Sequence, residues 1–316
     1  MRVQMSNKSA VRWIEAVCSV LACVFLLYKA VSYTDYPLLF SEWEHRASWG
    51  WTAGCCACLL LPFNLLCESL KWRNLLKPLG NRSVTDALKD VCKGYVGAFI
   101  TPNRVGEFPC RSLYLPASWR ASAIGMGGVG AAIQMGVITC MGIPALFILS
   151  AVLPSFDWSQ VILRVVVLLL FLLTVCIIVA HIPSTRKVWH EFVTALHHLR
   201  LHGVGEVAWW TIMRYIIFCG QFWLILEFAG VSLSLQQACL AIPTYYILVT
   251  FTPSFNLTEL AVRGSWAVVA LSPYTTTTPS IILAAWLIWV INSVFPLLIG
   301  LVMKQTNPAD CVAPLE

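Results

Sequence analysis

The sequence predicts an all-α integral membrane protein with six transmembrane helices plus two re-entrant broken-helix hairpins in an inverted-repeat arrangement, all in one membrane domain, 1–316. Three observations carry this expectation. Of the 316 residues, 59% are hydrophobic and 11% are charged, whereas soluble globular domains carry about 25% charged residues. Several apolar runs reach the ~20 residues that a helix needs to cross a bilayer. Two more stop well short of that length, each at a Thr-Pro that is followed by Glu and Arg.

The spans follow in order. Arg2, Lys8 and Arg12 precede the apolar run 13–31, which has the weak cleavage site Ala30-Val31-Ser32 of a signal peptide but is long enough to be retained as a span. The loop after it holds Asp35, Glu42 and Glu44 against Arg46, an acidic balance that places the N-terminus in the cytoplasm by the positive-inside rule. A second span, 48–66, leads to Lys71, Arg73, Lys77 and Arg82, taken as its cytoplasmic exit with Trp72 at the interface. Ser83, Val84 and Asp86 start an amphipathic segment that enters the first re-entrant element. The third span, 121–149, carries Gly127, Gly128, Ala131 and Ala132 at the spacing that lets helix backbones approach closely.

After an outer loop with Pro154 and Asp157, the span 161–180 returns to Arg186, Lys187 and Arg200. Residues 187–201 show helical spacing of Val188, Trp189, Phe192, Val193, Leu196 and Leu199, the pattern of a helix lying on the inner surface. His190, His197, His198 and His202 fall on its wetter side. In the fifth span, 207–230, Arg214 and Gln221 are seven apart and share a face expected to look into a bundle. The last span, 281–303, brings Lys304 and the C-terminus to the cytoplasm. The pseudo-repeats are therefore 12–150, beginning inside, and 160–304, beginning outside, as in many secondary transporters.

The run 93–111, KGYVGAFITPNRVGEFPCR, holds the first short arm. Its proline disfavours helical geometry at Thr101, and Arg104, Glu107 and Arg111 follow. The second copy runs through Thr252-Pro253 to Glu259 and Arg263. In both, Glu and Arg are one helical turn apart and can pair on one face. Thr101 and Thr252 are expected to cap or back-bond the broken ends.

TPNRVGEFPCR resembles the signature of the membrane family that includes the flippase region of bacterial lysylphosphatidylglycerol synthases and many stand-alone flippase-like proteins. The likeness extends over roughly 64–301. It implies a multi-pass protein of the bacterial cytoplasmic membrane that moves an anionic or phosphate-bearing lipid head group through a cavity between two halves. It also implies that lipid synthesis needs a soluble aminoacyl-transferase domain, and with only 12 residues after Lys304, synthesis by this chain alone is not expected. Membrane lipid is then the expected partner, with other membrane or lipid-biosynthesis proteins beside it.

The candidate substrate-binding residues are Arg104, Glu107, Arg111, Arg214, Glu259 and Arg263. Charges at bilayer depth need partners or hydration, and two readings stand side by side. In one, Glu and Arg pair only to tie the hairpins. In the other, guanidinium groups bind phosphate oxygens in a two-pronged geometry and the glutamates balance charge in the empty site. Catalysis on lipid-linked sugar or phosphate, with Glu107 or Glu259 as acid or base, is the alternative, and a non-transporting accessory subunit is a third class. No HExxH, nucleophile elbow or P-loop is present. The net charge of +6 lies in short connections between spans, so no nucleic-acid partner is expected. Most of the 13 cysteines sit in apolar runs as small hydrophobes, Cys110 being the one in the signature, and neither metal nor cofactor is expected.

Overall fold

The computed structural model describes residues 48–101, 104–152, 201–252 and 256–303. Every regular element within them is helical. Four helices are long and apolar enough to cross a membrane, Gly50–Leu76, Arg120–Leu149, Gly203–Phe228 and Thr278–Val302, the architecture of a multi-pass membrane protein. Phe63, Phe147, Ile216 and Phe295 on these helices are exposed, as lipid-facing side chains are. The expected spans 13–31 and 161–180, and residues 187–200 of the expected surface helix, lie outside the described residues.

Helix α1 (Ser48–Leu76) runs ten residues past the expected end of its span at 66. That extension corrects the reading of Lys71 and Trp72 as an interfacial exit, because they are 4% and 0% exposed and lie within the helix bundle. The physical reason is Glu68, also within the extension, which pairs with Lys71 at 2.7 Å and makes a buried lysine tolerable.

Helices α2 (Val84–Ile100) and α6 (Leu235–Phe251) each have 17 residues, and both begin on serine caps. Ser83 Oγ accepts the Asp86 N–H at 3.1 Å, and Ser234 forms a reciprocal capping box with Gln237. Both end on a threonine in extended conformation, Thr101 at φ −109° and Thr252 at φ −96°, as the residue before a proline requires. Short helix α3 (Glu107–Ser112) follows the first break and α7 (Asn256–Leu271) follows the second.

The remaining spans are α4 (Arg120–Val152), α5 (Leu201–Phe228) and a last helix made of α8 (Thr278–Trp289), a π turn (Val290–Val294) and α9 (Phe295–Val302). Helix α1 lies along α5 as the most extensive pairing of the bundle. Helix α2 packs on α9 and α6 packs on α4, so each Thr-Pro helix rests against a span from the other end of the sequence. Two buried apolar clusters flank the α1–α5 seam. One gathers Trp72, Leu75, Tyr95, Val96 and Met126; the other gathers Phe222, Leu226, Tyr245, Ala267 and Ile288.

The hairpin of α2 and α3 closes through a glycine. A β-carbon at Gly97 would collide with the Gly106 carbonyl oxygen and the Cys110 side chain, so only hydrogen at that position lets the two arms meet. Gly97→Val is expected to force the arms apart and to destabilise the protein by ~1 to 3 kcal/mol, the usual effect of overpacking. Unfolding of the purified variant in detergent, compared with wild type, measures this.

Candidate functional site

The site begins with the period of α1. Continued past residue 66, that helix brings Asn64, Glu68 and Lys71 onto one face. Glu68 is 2% exposed and its carboxylate collects three cations from three helices. Arg111 Nη1 of α3 reaches one oxygen at 2.8 Å, while Lys71 Nζ of α1 and Arg214 Nη1 of α5 reach the other at 2.7 and 2.5 Å. Removing these groups from water is costly, and close mutual pairing is what offsets it.

Arg214 uses its remaining donors on neutral groups. Its Nε donates to Asn64 Oδ1 at 3.0 Å, Nη2 to the Tyr95 hydroxyl at 3.1 Å, and Nη1 also to Gln134 Oε1 at 3.2 Å. The Phe218 ring lies 5.0 Å from its guanidinium carbon, a cation–π distance. Asn64 in turn donates to Gln221 at 3.3 Å and to Asn292 at 3.0 Å. Asn292 and Ser293 lie in the π turn, the kind of helical irregularity that is frequent at functional sites. One polar network thus joins α1, α2, α3, α4, α5 and the last span.

The first broken helix delivers the other charges. Glu107 accepts from Arg111 Nη2 through one oxygen, and from Arg104 Nε at 3.3 Å through the other. Arg104 has φ 62°, a left-handed conformation that costs a residue with a side chain of order 1 to 3 kcal/mol and survives only where surroundings fix it. Here the fixing contacts are Glu107, the Ser293 hydroxyl at 3.4 Å and the Tyr95 ring at 4.9 Å. Arg111 stacks 5.4 Å from the Trp72 ring and crosses directly over Gly94, where a β-carbon would strike its side chain. Its Nε is buried and has no hydrogen-bond partner among the described residues.

The second broken helix carries a simpler pair. Arg263 donates through Nε and Nη2 to Glu259 Oε1 at 2.9 and 2.8 Å, and through Nη1 to the Tyr245 hydroxyl at 3.5 Å. Arg104 lies within electrostatic range of both Glu259 and Arg263, which brings the two elements into one neighbourhood. The two threonines act alike. Thr101 Oγ1 donates to the Gly97 carbonyl at 2.9 Å and accepts the Gly106 N–H at 2.7 Å. Thr252 Oγ1 donates to the Leu248 carbonyl at 2.7 Å and accepts from Trp266 Nε1 at 2.8 Å. Each hydroxyl back-bonds the broken end and clamps the arm that follows.

All six sequence-selected residues fall in this region. Arg104, Glu107, Arg111 and Arg214 share the Glu68 node, and Glu259 with Arg263 forms the neighbouring pair. Sequence reasoning missed Glu68, Lys71, Asn64 and Gln134. The available signal was the spacing of Asn64, Glu68 and Lys71, which repeats the face logic applied to Arg214 and Gln221. The described cysteines are all free thiols, and Cys110 lies over Gly97. No family model, curated protein or solved structure matches this chain.

Removing one member of a buried charge cluster leaves the others uncompensated. Glu68→Gln is expected to destabilise by ~3 to 5 kcal/mol, since it strands Lys71 and Arg214 and leaves Arg111 with Glu107 alone. Glu259→Gln strands one arginine, and the carboxylate it replaces is 14% exposed against 3% for Glu68. Its loss should be clearly smaller. Thermal unfolding of both variants in detergent checks the order; an equal or reversed order refutes the central place given to Glu68.

Proposed function

We propose that the chain is a flippase-like membrane transporter that moves an anionic or phosphate-bearing lipid head group between two inverted repeats. The observation that carries this reading is a cation-rich polar cluster that draws residues from all four membrane-length helices, Arg214, Gln134 and Asn292 from near their middles and Glu68 and Lys71 from the last third of α1. Among the described residues, the carboxylates paired with Lys71, Arg104, Arg111 and Arg214 are Glu68 and Glu107. If the charges served only to tie helices together, equal numbers of each sign would be enough, as at Glu259 and Arg263. An excess of guanidinium groups in a largely buried site is a feature that phosphate binding uses.

The inverted repeat is supported by matching details. Two serine-capped helices of 17 residues end on extended threonines whose hydroxyls bond back one turn. Each then leads to a Glu–Arg pair. Their supports are exchanged, α2 against the last span and α6 against α4, as a two-fold relation between halves demands. Irregular backbone at such depth is tolerated where it lines a protein-enclosed path. In this reading six spans cross a bacterial cytoplasmic membrane and both termini face the cytoplasm.

Two measurements test the proposal. Replacing Glu107 by Gln and Arg111 by Met together removes both charges at similar volume. The double variant should fold and insert, because Glu68 keeps Lys71 and Arg214 and the cation that loses its carboxylate, Arg104, is a third exposed, yet it should no longer move fluorescent anionic lipid across liposome membranes because the Arg111 donors are gone. Translocation at the wild-type rate refutes the site. Separately, reporter fusions at Met1 and Glu316 should both read cytoplasmic, and an external C-terminus refutes the six-span topology.

A further inference from the structure

Resting on that reading of a lipid head-group transporter, we propose that the Glu68 node selects a phosphate monoester, a doubly charged head group with three terminal oxygens, over the singly charged phosphodiester of an ordinary phospholipid. Among the described residues bonded into the node, Lys71, Arg104, Arg111 and Arg214 supply four positive charges and Glu68 and Glu107 supply two negative ones. The difference, four minus two, leaves an excess of two. Glu259 and Arg263 cancel each other and leave that excess unchanged.

A phosphate monoester carries about −1.5 to −2 at neutral pH and offers three strong acceptor oxygens. It therefore neutralises the excess, whereas a phosphodiester has one charge and two such oxygens and leaves the node positive. Geometry points the same way. The Glu68 carboxylate has two oxygens, yet three cationic side chains from α1, α3 and α5 converge on it, two of them crowded on one oxygen. It stands where an oxyanion with more acceptors would divide those donors more evenly. The Arg111 Nε, buried over Gly94, is in addition a donor with no partner among the described residues.

The full chain is purified and reconstituted in phosphatidylcholine vesicles with a trace of acyl-labelled phosphatidic acid, a monoester, or phosphatidylglycerol, a diester. Phosphatidic acid is expected to cross at least about tenfold faster. Lys71→Gln lowers the excess to one charge and is expected to shift the preference toward phosphatidylglycerol. The wild-type comparison decides the matter even if that variant fails to fold. Equal rates for the two lipids overturn the monoester inference and leave the transporter reading standing. If neither lipid moves but phosphatidic acid alone binds, the transporter reading falls and the monoester inference holds. If neither moves and neither binds, both fall. Glycerol 3-phosphate and inorganic phosphate are added as competitors to identify the source of the group. Binding of these with no binding of phosphatidic acid overturns the lipid assignment in favour of a soluble phosphate.

Discussion

The Glu68 carboxylate is the constraint on which the rest of this bundle depends. It is held by Lys71 one turn along its own helix, by Arg214 from α5 and by Arg111 from α3. Without it, three cations would crowd together in a region from which water is excluded. With it, the same cations fix how three helices approach, because a charge-assisted hydrogen bond is short and directional. The long α1–α5 pairing is therefore set by a polar node as well as by apolar contact. In a lipid environment this matters more than in water, since tails are as apolar as the side chains they touch and apolar burial gives little drive for helices to associate.

Breaking a helix inside such a bundle leaves backbone groups without partners, and the two threonines supply them. A hydroxyl both donates and accepts, so Thr101 and Thr252 each satisfy a carbonyl behind the break and a donor ahead of it. Beyond the breaks, α3 carries the Glu107–Arg111 pair and α7 the Glu259–Arg263 pair. Arg104 is the sharpest case. Its left-handed backbone is held by contacts from its own hairpin and by Ser293 of the π turn. The irregularities of the last span and of the first hairpin are coupled through one side chain.

Among the described residues around the first broken helix, cations outnumber the carboxylates they pair with, and charge left unbalanced away from water raises the energy of the folded state. The Glu259–Arg263 pair, in contrast, is balanced one to one. That contrast in charge balance distinguishes the surroundings of the two broken helices.

Composition and run length by themselves determined that the chain is helical and membrane-spanning, because apolar length is a local property that a bilayer reads directly. The paired Thr-Pro motifs, the i,i+4 Glu–Arg pairs and the inward face of Arg214 and Gln221 were also legible, each resting on a fixed local period. Tertiary structure alone decided the rest. Lys71 and Trp72 look interfacial by sequence, since a basic residue beside a tryptophan after an apolar run is what a helix exit contains. Their burial follows from partners that lie far along the chain, Arg111 and Arg214 meeting Glu68. Ion pairing across helices depends on distances between segments that no sequence period encodes. For that reason the residues that flank the break were found by reading the chain, and the carboxylate that gathers them was found only in the fold.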